Sequence, residues 1–272
     1  MREQWREKIV EWTIAIGEKI LLPIEKWIGR RSLVGEKTFF EPEQFAWTKT
    51  LETNWHAIRA ELDEVLKDTE ALPNFQDISA DQATITDDDR WKTFFLYGFG
   101  FKAEGNCRRC PETTRLVESV PGMKTAFFSV LSPRKHIPDH RGPYKGVLRY
   151  HLGLKVPEPR EGCRIRVGDD IRHWDEGGSM VFDDTYNHEA WNDTDGTRVV
   201  LFMDVVRPLP FPESAFNWVV LKAIAISPFI QDAKRKHLEW EKRFEEHQRS
   251  QRAAERAGSN GAPEQAPERA AS

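Results

Sequence analysis

Two histidines and an arginine in one stretch of the chain have the types and spacing for metal and carboxylate chemistry. His151 lies in a β-type run, RYHLGL. Alternation puts Arg149, His151 and Gly153 on one face and Tyr150, Leu152 and Leu154 on the other. An imidazole and a guanidinium turned into a sandwich are costly to bury without partners. His188 follows a further β segment in the acidic and aromatic run FDDTYNHEAW, and Arg198 heads the apolar strand after it. Two neutral imidazoles on neighbouring strands can hold a first-row metal, and a guanidinium on the next strand can take a dicarboxylate bidentately. A lone histidine is more often an ordinary hydrogen-bonded side chain, but the combination with Arg198 favours a site.

These residues need a β-framework to position them, and the pattern supplies one. Ala126–Leu131, Gly146–Val156, Cys163–Val167, Ser179–Phe182 and Arg198–Val206 read as short strands separated by Gly, Pro, Asp and Asn. The aromatic run Trp91–Phe101 is too β-prone for a helix. Evenly spaced strands of this kind predict a sandwich, barrel or jelly roll.

Helices flank the strands. In residues 1–30, Trp5, Ile9, Trp12, Ile16, Ile20, Ile24 and Trp27 recur at steps of three or four, an amphipathic helix that packs on the domain or lies in a membrane interface. A second helix is expected over Pro42–Lys67, a third over Ala215–Ile226, buried or facing lipid, and a charged one over Gln231–Arg249. The division expected is an N-terminal helix at 1–30, the main domain at 38–210 with its motifs in 139–206, a helical segment at 211–249, and a disordered tail at 250–272.

Composition excludes several classes. With 40 Lys and Arg against 44 Asp and Glu, the net charge of −4 gives no field to hold nucleic acid. Three cysteines cannot build a disulfide scaffold and fit a reducing, cytoplasmic location. The Cys107–Cys110 pair has no second pair to complete a zinc site, and Pro111 after it suits a helix start. No run of about 20 apolar residues spans a membrane, and acidic residues interrupt any secretory signal.

RYHLGL, FDDTYNHEAWND and TRVVLFMDV, in that order, resemble the aspartyl/asparaginyl β-hydroxylase family of Fe(II)- and 2-oxoglutarate-dependent dioxygenases. The resemblance covers about residues 90–210 and implies a mainly β, double-stranded β-helix (jelly-roll) core with flanking N- and C-terminal helices. It also implies Fe(II), with 2-oxoglutarate and O₂ as cosubstrates. On it, His151 and His188 are the expected iron ligands and Arg198 the holder of the far carboxylate of 2-oxoglutarate. Arg166 is expected toward the cosubstrate's other end, and His140, in DHRGP, either lines the pocket or binds cosubstrate, or is a simple turn histidine. Gly153 stands where many such enzymes carry a carboxylate ligand, so a two-histidine iron with water in the vacant position is expected.

Asp183 and Asp184 either orient His188 or form a simple turn, and Arg149 meets an anionic substrate or a nearby acid. The FFLYGFGF run, the spacing of GPYKGVLRYHLGL and the apolar FNWVVLKAIAISP look most like the bacterial branch that hydroxylates lipid acyl chains. Peripheral contact with the inner face of a membrane is expected on that reading. The alternatives are β-hydroxylation of Asp or Asn in a polypeptide, and a non-catalytic jelly-roll binding module.

Overall fold

The computed structural model describes residues 22–79 and 84–259. Helix α1 (22–31) leads to strand β1 (Phe39–Phe40), then α2 (Ala46–Thr53), α3 (Trp55–Val65) and α4 (Phe75–Ile78). Strands β2 (Trp91–Gly98) and β3 (Phe101–Lys102) precede α5 (Glu104–Arg109) and α6 (Pro111–Glu118). Next come β4 (Met123–Leu131), β5 (Lys135–His140), β6 (Val147–Lys155), β7 (Cys163–Val167), β8 (Asp170–His173), β9 (Ser179–Phe182), β10 (His188–Asn192) and β11 (Arg198–Val206). Helices α7 (Glu213–Ala225) and α8 (Pro228–Ser259) close the described chain.

The strands form two antiparallel sheets, a major one in the order β1-β9-β6-β11-β4-β2-β3 and a minor one in the order β5-β10-β7-β8. Together they make the jelly roll. The inner face of the major sheet is built across strands by register: Phe95 pairs with Phe127 and Phe127 with Phe202. Their rings stack at 4.5 and 4.2 Å. The outer face is also covered. Trp47, in the first turn of α2, meets Tyr150 of β6 edge-on at 4.9 Å, and Trp240 of α8 meets Phe94 of β2. Cover on both faces explains why β6 and β11 are buried almost throughout instead of at alternate positions.

Several elements differ from the sequence expectation. Asn54 breaks the long helix of 42–67 into α2 and α3, and Gly100, at φ 77°, turns the aromatic run into the β2–β3 hairpin. Strands β5, β8 and β10 lack an apolar signal because each presents polar side chains outward at a sheet edge or beside one. Most of the expected N-terminal helix, and residues 260–272 of the expected tail, lie outside the described residues. The last helix continues to Ser259, beyond the expected end at 249. Cys107, Cys110 and Cys163 are free, buried thiols, and α6 does begin at Pro111.

One buried ion cluster anchors the turn between β9 and β10. Arg207, fully buried, donates from Nη2 to Asp183 Oδ2 and from Nε to the Lys145 carbonyl at 2.7 Å. Lys145 Nζ lies 3.2 Å from the same carboxylate. Arg207→Met should therefore lose about 3–5 kcal/mol of stability in urea unfolding, because the Asp183 charge stays buried with one of its two cationic partners gone.

Candidate functional site

Side chains from both sheets converge on one narrow interior cleft. The major sheet contributes Trp91, Ser129, Arg149, His151, Phe182, Arg198 and Phe202, and the minor sheet Ile137, His140, Ile165, His188 and Ala190. Trp174, on the connection after β8, completes the lining.

The minor sheet sets His140 opposite His188 in the β5–β10 register, and their ring centroids are 4.1 Å apart. Both rings are held alike. Nδ1 of His140 is 2.8 Å from the Pro138 carbonyl, and Nδ1 of His188 is 3.0 Å from the Tyr186 carbonyl. A carbonyl can only accept, so each Nδ1 carries the proton and each Nε2 keeps its lone pair. This is how metal-ligating histidines are fixed in tautomer and orientation. Burial pushes the pKa of His140 down and that of His188 down to about 3, so both imidazoles are neutral, the form a metal needs.

The expected pair is His151 with His188; the ring that lies against His188 in the structure is that of His140. His151, on the facing sheet, packs among Phe182, Phe202 and Trp174. It is buried, and among the described residues neither of its ring nitrogens has a hydrogen-bond partner. Burial and the nearby Arg198 hold its pKa well below the ordinary value. The glycine that matters also changes. In His140-Arg141-Gly142, a Cβ at Gly142 would collide with the Asp184 carboxylate, so that carboxylate fills the space a side chain two residues after His140 would take. A Cβ at Gly153 would collide with the Asp175 backbone carbonyl, which lets the 174–178 connection lie close and seat Trp174 in the cleft.

Asp184 is fully buried, 2.8 Å from Arg149 Nη2. Burial raises its pKa to about 6. Arg149 Nε also reaches Asp204, at 3.2 Å, so this arginine meets nearby acids. Among the described residues no set of three His, Cys, Asp or Glu side chains converges as metal ligands. The two imidazoles are the pair placed to hold a metal from the protein side.

Arg198 lies at the other end. Four strand positions separate His188 from Asn192, and Asn192 Nδ2 donates to the carbonyls of Leu131 and Gly196, beside Arg198. Side chains reach inward between the two ends. Arg198 is buried, its guanidinium 4.6 Å from the Trp174 ring centre, and no carboxylate pairs with it among the described residues. Its Nε and Nη1, and Trp174 Nε1, have no hydrogen-bond partner among the described residues. Burial lowers the Arg198 pKa to about 10, which leaves it charged at neutral pH. Ser129, on the same inner face, accepts from Trp91 Nε1 at 3.1 Å and keeps its own proton to donate. A neutral imidazole pair at one end and an unmatched cation at the other fit a metal and a small diacid.

Arg166 is not part of this assembly, which corrects the expectation for it. Strand alternation turns Cys163, Ile165 and Val167 inward and Arg166 outward, where it binds Glu189 and Asp139. Sequence reasoning missed Ser129 and Trp174. Ser129 had a signal, a single hydroxyl between Phe127 and Leu131 on an apolar face. Trp174 had none, because a connection rather than a strand delivers it.

The profile of the family described as "Aspartyl/Asparaginyl beta-hydroxylase" matches residues 52–208, which include all of these side chains. An ornithine lipid ester-linked acyl 2-hydroxylase from Rhizobium tropici is 51% identical over 211 residues, covering 78% of this chain and 75% of that one. The human aspartyl/asparaginyl beta-hydroxylase is 31% identical over 183 residues, 64% of this chain, but this match spans only 23% of the human protein's length. Among solved structures, a Pseudomonas putida prolyl-4-hydroxylase gives a TM-score of 0.37 at 17% identity, covering 57% of this chain and 88% of that one, a likeness too remote to bear on function.

The two histidine pairings separate cleanly by experiment. In anaerobic calorimetric titration with Fe(II), His140→Ala and His188→Ala should each weaken binding at least about ten-fold, while His151→Ala binds the metal as the wild type does.

Proposed function

The chain belongs to the aspartyl/asparaginyl β-hydroxylase family of iron- and 2-oxoglutarate-dependent hydroxylases, and from that premise we propose that it hydroxylates an acyl chain of a membrane lipid. His140 and His188 hold Fe(II), Arg198 with Ser129 holds the distal carboxylate of 2-oxoglutarate, and His151 and Arg149 line the path between. The observation that carries this assignment is the buried guanidinium of Arg198 without a counter-charge, in the same cleft as two neutral imidazoles with fixed tautomers.

Bound iron supplies the redox chemistry by which O₂ and the keto acid give succinate, CO₂ and one inserted oxygen atom. The chain's own residues do the rest. Arg198 orients the diacid by a charge-assisted contact in a site that excludes water, where such contacts are strongest. Trp174 holds the guanidinium plane by stacking. Phe182, Phe202 and Ile165 wall the cleft with apolar surface, which suits an alkyl guest and keeps solvent from the reacting atoms. Asp184, pinned by Arg149, fills the space beside Gly142 just after His140 in the chain. The acyl substrate is supported by the Rhizobium tropici relative, which is similar over three quarters of its own length, whereas the human relative is matched over less than a quarter.

Two measurements test this. Lipid extracts from cells expressing the chain should contain an acyl lipid heavier by one oxygen atom, absent with His188→Ala. An unchanged lipid profile, with the oxygen found on Asp or Asn of a protein, would instead assign a polypeptide substrate. Arg198→Ala should raise the KM for 2-oxoglutarate roughly 100-fold, the size expected for losing a hydrogen-bonded charge pair, and an unchanged KM would remove Arg198 from the site.

A further inference from the structure

Helix α7 is inside out. A helix on the surface of a globular protein normally buries its apolar stripe and exposes its polar residues. Here the buried positions are Glu213, Asn217 and Leu221, four residues apart, while Trp218 and Val219 are 60% and 57% exposed. The polar pair is buried because it has specific partners. Asn217 donates to the Gly146 carbonyl at 2.8 Å and accepts from the Tyr144 hydroxyl at 2.9 Å, and Glu213 pairs with Arg31 at 2.8 Å. Helix α1 repeats the pattern, with Glu25 buried against Arg141 and Trp27 outside. Trp27 meets Phe216 of α7 edge-on at 5.4 Å, which joins the two helices into one face, and Phe211 extends it at 82% exposure.

The charges on this face have one sign. On α1 and α7 the exposed ionisable side chains are Lys26, Arg30, Arg31 and Lys222, and both acids are buried. Exposed tryptophans and aliphatics with a purely basic rim are the chemistry of a helix lying in an anionic bilayer interface. A second copy would set like charges against each other, which disfavours self-association through this face. No single described helix is long and apolar enough to cross a membrane, and α7 and the start of α8, apolar enough together, are bent by 52° at their junction. The face also adjoins the site, because the residues α1 and α7 grip, Arg141, Tyr144 and Gly146, follow His140 directly in the chain.

We propose that the α1–α7 face seats on the surface of a bilayer containing anionic lipid and so presents membrane lipids to the cleft beside His140, a proposal that rests on the lipid-substrate reading above. The test is co-sedimentation of the full chain with vesicles of phosphatidylcholine alone or mixed with phosphatidylglycerol, with Trp218→Asp and Lys222→Glu as variants and light scattering as a check on oligomeric state. The expected result is a monomer that pellets with the anionic vesicles and less with neutral ones, and whose partitioning falls at least about five-fold in each variant while the thermal melt is unchanged. Recovery of the wild type in the supernatant with both vesicles would overturn the proposal, as would variants that bind like the wild type, or a wild-type dimer that the variants dissolve. Wild-type turnover of detergent-dispersed lipid reports separately on the substrate: oxygen insertion without vesicle binding defeats the docking face alone, and binding without oxygen insertion defeats the substrate reading alone.

Discussion

A guanidinium enclosed in a protein without an opposing charge costs several kcal/mol, and the rest of this structure is arranged around accepting that cost at Arg198. Stacking on Trp174 returns only part of it, about 2 kcal/mol for a desolvated cation over an indole. The remainder marks a place where a ligand anion completes the electrostatics, and such unmatched charge concentrates at functional sites. Other buried ions among the described residues are matched, Arg207 with Asp183 and Arg149 with Asp184 and Asp204. The contrast supports the proposed role of Arg198 as a binding group rather than a structural one.

The two sheets divide the labour. The minor sheet holds the imidazole pair by direct cross-strand register, and backbone carbonyls two residues upstream fix both tautomers. The major sheet holds the cation and the aromatic wall, with Phe95, Phe127 and Phe202 stacked across three strands beneath the cleft. Tight packing of these rings transmits little freedom to the groups above them, so the distance between the two ends is set by the fold. The helices cover the outer face of the major sheet, and α1 and α7 brace the loop that follows His140.

Much of this was legible in the sequence, and the exceptions have physical causes. The apolar strands β4, β6, β7, β9 and β11 announce themselves because a strand buried in a sandwich must be rich in apolar residues, and Arg198 stands out at the head of one. Strand β5, KHIPDH, gives no such signal, so its register against β10 was invisible, and with it the apposition of His140 and His188. The family motif drew His151 into the metal pair because it is the more conspicuous histidine, set in an apolar strand. Only the tertiary arrangement shows which imidazoles meet. The outward turn of Arg166, by contrast, was readable: it alternates with Cys163, Ile165 and Val167, and an arginine on that parity belongs to the surface.

The central claim is that one cleft holds a metal between His140 and His188 and a diacid against Arg198. The most direct measurement is a crystal structure of the chain soaked anaerobically with Mn(II) and an unreactive analogue of 2-oxoglutarate. The account predicts the metal bonded to Nε2 of His140 and Nε2 of His188, with the distal carboxylate on the Arg198 guanidinium. Metal bonded to His151 in place of His140, or an analogue whose carboxylates leave Arg198 untouched, would contradict it.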